Sequence, residues 1–108
     1  MPLPKKIRIG YRDYQVIPVK IQHPDLSEAF GLCDNVGAKI FVRTDMAPEM
    51  VADTLLHEIM HGIWYYMDLD DREAEENAVN RLSSGLICAM IDNPDLLKYL
   101  TKTLIKDK

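Results

Sequence analysis

Cysteine is scarce in this chain, and so are long apolar runs and any surplus of positive charge. Two cysteines, Cys33 and Cys88, occur in 108 residues. Neither sits in a Cys-x-x-Cys clip, so nothing supports a disulfide framework or a cysteine-built metal cluster. Both read as reduced core residues, Cys88 as a small hydrophobe within the run from Leu86 to Met90. No stretch approaches the roughly 20 apolar residues of a membrane span. The charges of Lys5 and Lys6 precede no apolar run of the secretory kind. A cytoplasmic protein without a membrane partner is expected. The net charge of −4 leaves no basic footprint for nucleic acid. Repeats and low-complexity segments are absent too.

What remains is an ordinary globular composition, 47% hydrophobic, in a length suited to one domain over residues 1–108. Strands come first. Residues 6–8 and 14–21 predict strands around the turn residues Gly10 to Asp13. Ile17, Val19 and Ile21 alternate, and Pro18 marks an edge or an end. Residues 31–34 and 38–43 are expected to pair through Asn35, Val36 and Gly37. The segment from His23 to Phe30 reads as a turn or a short helix. Helices are predicted over 48–66, 71–91 and 95–105. The order predicts an α+β fold with N-terminal antiparallel strands, then three helices.

The chemistry is concentrated in His57-Glu58-Ile59-Met60-His61. Residues four apart on a helix stack on one face, so the two imidazoles of H-E-x-x-H can reach one metal ion. Glu58 lies beside that point, where it can hold and deprotonate a water. The helical context is present: Pro48 and Glu49 suit a first turn, and Leu55, Leu56, Ile59 and Ile63 supply apolar surface. The pattern predicts a zinc-dependent hydrolase site of the peptidase kind. Gly62 predicts a close approach of another element. Tyr65 falls one turn beyond His61, either as a donor to a developing oxyanion or as an amphipathic residue at the core's edge.

A catalytic zinc usually takes three protein ligands. The remaining histidine, His23, reads as a surface residue of a loop. The His-x-x-Gly-x-x-His extension is missing, since Trp64 and Met67 occupy its positions. An acid from the following helix is the remaining route. Asp70 and Glu73 fit a capping box, and Ala74, Ala78, Leu82, Leu86 and Ala89 recur at helical spacing. Glu73, Glu75 and Glu76 lie in the first two turns. Periodicity alone favours Glu75, which is nearest the centre of the apolar stripe.

The run from Glu76 to Ser83 resembles the E-x-x-A-N-x-F-A pattern that follows H-E-x-x-H in ImmA/IrrE-like metallopeptidases. Residues 31–100, about two-thirds of the chain, also resemble small stand-alone phage and prophage proteins of this kind. The shared features are a strand pair, a Pro-Glu helix start, Thr-Leu-Leu-His-Glu-x-x-His-Gly, an acidic second helix and an Asn-Pro. The resemblance implies a zincin-like domain with a gluzincin-type site, in which Glu76 matches the third zinc ligand. Glu73 and Glu75 are then expected to be solvated first-turn acids. It also implies that the strand at 39–43 is a sheet edge to which a substrate peptide adds. Val79 and Leu82 depart from the pattern, and no Met-Pro follows Ile87. The reading is a zinc metallopeptidase acting on a protein or peptide, with His57, His61 and Glu76 on the metal and Glu58 as general base. The alternative is an inactive zincin-fold module that holds zinc and acts by docking to another protein.

Overall fold

The computed structural model describes residues 3–20, 30–67 and 72–105. His23 and the Asp70 of the expected capping box lie outside them. Four strands, β1 (Lys6–Ile9), β2 (Arg12–Val19), β3 (Gly31–Asp34) and β4 (Lys39–Arg43), precede α1 (Pro48–Tyr66), α2 (Arg72–Asp92) and α3 (Pro94–Leu104). The molecule is α+β, as the element order predicted.

The sheet is mixed, which corrects the expectation of antiparallel strands. Its order is β1-β2-β4-β3. β1 and β2 form a hairpin and β3 pairs antiparallel with β4, but β2 and β4 run parallel. The reason lies in burial. β4 carries Ile40 and Val42, both fully buried, and an interior position with a neighbour on each side is where such residues gain most. β4 is therefore not an edge; among the described strands the edge on that side is β3. β2 starts earlier than predicted because Asp13 faces Arg8 across the hairpin and pairs with it at 2.6 Å. Its buried residues are Tyr14, Val16 and Val19, with Ile17 only half-buried. Pro18 fits for a simple reason. The amide of Gln15 bonds to Ala38, just ahead of β4, and that of Val16 to Lys5, so the missing N–H of Pro18 falls on the β1 side. There β1 has already ended, its pairing reaching no further than Gln15.

α1 lies across this sheet. Its inward stripe runs Val51, Thr54, Leu55, Glu58, Ile59, Gly62, with Val51, Leu55 and Ile59 packed on Ile9, Tyr14, Ile40 and Val42. At Gly62 a Cβ would stand 2.6 Å from Ile9 Cδ1, so glycine here is what lets β1 meet the helix.

α2 is rotated relative to its expected stripe. Val79 and Ser83 are buried while Leu82 and Leu86 are 55% and 42% exposed. The helix turns the 75–79–83 face to α1, and with it the two acids at its start. Cys88, expected in the core, is exposed on α2; both thiols are free. No helix of the described residues is long and apolar enough to cross a membrane.

Candidate metal centre

His57 and His61 stand one turn apart on the flank of α1 that faces α2, their Nε2 atoms 3.2 Å from each other. α2 meets them with consecutive residues. Glu75 Oε2 lies 2.5 Å from His61 Nδ1, and Glu76 Oε1 lies 2.9 Å from His61 Nε2. Neighbouring positions on a helix diverge by about 100°, which is how one turn reaches both sides of a single ring. A carboxylate can only accept, so Nδ1 carries a proton and donates it to Glu75. His57 Nε2, His61 Nε2 and Glu76 Oε1 then converge as electron-rich atoms, and a proton or a metal cation must lie between them. Burial, and then the neighbouring His61, hold the His57 pKa below its ordinary value, which keeps that imidazole neutral and its lone pair available.

His57, His61 and Glu76 thus lie close enough to hold one metal ion, each offering one donor atom with all three within 4.8 Å of one another. Two imidazole nitrogens and one carboxylate oxygen are a donor set that suits a divalent metal ion and leaves a coordination position over. Glu58 sits beside the group on the buried stripe, only 6% exposed. Its carboxylate rests against the edge strand: a Cβ on Gly31 would fall 3.0 Å from Glu58 Oε2 and 2.8 Å from Thr54 Cγ2. Burial lifts its pKa to about 7, with His61 opposing the rise and Glu76 adding to it. A carboxyl group tuned near neutrality can both take and return a proton.

The group opens on two hollows, of about 320 and 410 Å³, which share Gly31, His57, Glu58 and Glu76. One extends between α1 and α2; the other runs along Leu32, Cys33 and Asn35. Together they make a cleft roofed by the edge strand with the donor atoms at its middle.

Of the four residues singled out by motif and resemblance, all meet here. Glu75 is the correction: it is not a solvated acid but a half-buried partner of His61. Its place near the centre of the apolar stripe was the signal. Glu73 is exposed. Tyr65 lines a separate hollow with Tyr11, Arg12 and Tyr14, not the metal cleft. Cys33 borders the cleft, yet its thiol points to Asn35 Oδ1 at 3.4 Å, and burial followed by the Glu58 and Asp34 carboxylates pushes its pKa up to about 12. Asp53, Asn80 and Ser84 also line the cleft. Helical spacing from His57 and Glu76 could have found them. Comparison with protein-family models, with curated proteins and with solved structures finds no match.

Proposed function

We propose that the protein is a zinc-dependent peptidase of the zincin kind, as its resemblance to ImmA/IrrE-like metallopeptidases implies. His57, His61 and Glu76 would hold the ion. A divalent metal bound there supplies acidity to the attacking water and polarises the scissile carbonyl. Glu58 accepts the proton of that water as it attacks and returns it to the leaving amine. Glu75 fixes the His61 ring and its tautomer through Nδ1. The substrate is a flexible peptide segment lying along β3, whose outer backbone groups can pair with it while the hollows take side chains.

The observation that carries this reading is the buried Glu58 carboxylate, without a hydrogen-bond partner among the described residues, beside three converging donor atoms. A purely structural zinc site needs no such base and usually closes its fourth position with protein. The test is to capture partners with zinc-loaded Glu58→Gln protein and offer each to the parent. Cleavage by the parent alone is expected. Partners that bind both forms equally and are never cut would instead make the protein a docking module.

A further inference from the structure

The hollow between α1 and α2 changes character along its length. At one end are His57, Glu58 and Glu76; at the other are Asp53 and Ser84, flanked by the apolar side chains of Phe30 and Met50. Asp53 Oδ2 accepts a hydrogen bond from Ser84 Oγ at 3.0 Å, which fixes the carboxylate across the two helices. Among the described residues no lysine or arginine lines the hollow, and none pairs with Asp53. Arg43 stacks over the Phe30 ring, 5.3 Å from its centroid, but Asp45 holds its guanidinium at 3.0 and 3.1 Å. Glu58, 6% exposed and without a hydrogen-bond partner among the described residues, borders the same space. A carboxylate held in place at the edge of a hollow, with no lysine or arginine on it among the described residues, can form a charge-assisted hydrogen bond with an incoming cation.

Asp53 precedes His57 by four residues, so it stands about 6 Å further along the helix axis. A lysine or arginine side chain has that reach. Its apolar stem can lie against Met50 and Phe30 while its head meets Asp53. The net charge of −4 favours the approach of such a segment.

We propose that this hollow is a side-chain subsite that selects a lysine or arginine adjacent to the bond that is cut, with Asp53 as its counter-ion; the bond-cutting part rests on the peptidase reading above. The probes are flexible decapeptides that differ at one position, carrying lysine, arginine, norleucine or glutamate, incubated with zinc-loaded protein and read by mass spectrometry. Cleavage should fall beside lysine or arginine. Norleucine keeps the stem without the charge, so the lysine-to-norleucine ratio of kcat/KM isolates the ion pair. Asp53→Asn should reduce that ratio about twofold to fivefold, the worth of a partly screened charge pair. Asp53→Glu should restore part of it, and Asp53→Lys should shift preference to glutamate. Thermal melts of each variant establish that it is folded. Cleavage indifferent to basic residues, or a ratio that Asp53→Asn leaves unchanged in folded protein, would overturn the subsite while the peptidase stands. If the parent cuts nothing, the peptidase reading falls, and the subsite is decided by anisotropy of fluorescein-labelled lysine and norleucine peptides on zinc-loaded Glu58→Gln protein. Tighter lysine binding that depends on Asp53 supports it, and equal binding overturns it.

Discussion

The Glu75 carboxylate and the His61 imidazole meet at 2.5 Å through Nδ1, on the side of the ring away from Glu76. Two adjacent glutamates therefore have different work. Glu76 shares the electron-rich point with both imidazoles, while Glu75 sets which nitrogen of His61 keeps its proton. This orienting contact ties the first turn of α2 to α1 and makes the register between the helices part of the site.

Replacing these two acids should separate the roles. Glu76→Ala removes a donor atom and should cause the larger loss of zinc affinity. Glu75→Ala leaves all three donors and should weaken zinc about 10- to 100-fold, the usual consequence of losing an outer partner of a metal-bound histidine. Glu75→Gln keeps an acceptor for Nδ1 and should retain more affinity than Glu75→Ala. Competition with a chromophoric chelator reads all three. A Glu75→Ala protein that loses zinc completely, beside a Glu76→Ala protein that keeps it, would reverse the assignment.

Metal removal should lower the melting temperature without unfolding the protein. The ion would join α1 to α2, so a ligand at 100 times its Kd stabilises by about 2.7 kcal/mol. The core of Ile9, Tyr14, Ile40 and Val42 with the α1 stripe over it does not involve the donors. A cooperative melt should therefore survive chelation. A chelated protein with no cooperative transition in calorimetry would make the ion a structural element.

Much of the layout was legible in the sequence because strong local signals coincide with the final packing. Pro48 opens α1 where expected, and H-E-x-x-H needs only helix geometry to bring two rings together. What was not legible is what depends on contacts between distant segments. Nothing local in Lys39–Arg43 says that β4 inserts beside β2 in parallel; only the burial of Ile40 and Val42 on assembly decides it. The phase of α2 was missed for a related reason. Leucines at 82 and 86 look like a core stripe, but the helix turns Val79 and Ser83 inward, along the face on which Glu75 and Glu76 meet His61, and leaves those leucines exposed. Cys88 on the same helix was misplaced by the same rotation.

The two thiols should differ in reactivity. Cys33 is half-buried, bonded to Asn35, and its pKa is pushed up to about 12 by burial and by the Glu58 and Asp34 carboxylates. The thiolate is the nucleophile, so at pH 7.5 Cys33 should resist iodoacetamide. Cys88 is exposed and should be modified first. Peptide mapping after brief alkylation measures the ratio, and the Cys33 rate should rise sharply once denaturant is added. Equal rates in the native protein would contradict the buried setting of β3 against α1.

Glu58 should make the metal-free protein less stable as pH rises. Its carboxyl group titrates near 4.5 when unburied and at about 7 in the folded chain. Between these values the folded state binds more protons than the unfolded state, so the slope of stability with pH is negative. Below about pH 4.5 the group is neutral in both states and costs nothing. As pH climbs through 7 the folded protein must hold a buried charge, a penalty on the order of 3 kcal/mol at most. Glu58→Gln removes this titration while keeping the shape. The measurement is urea unfolding of parent and variant in EDTA from pH 5 to 8.5, and the difference between the two curves isolates Glu58 from His57, which titrates in both. The variant should gain on the parent across pH 5 to 7 and then run parallel to it. A difference curve that stays flat would mean that Glu58 is solvated in the metal-free protein, and its tuning as a base would have to come from the metal alone.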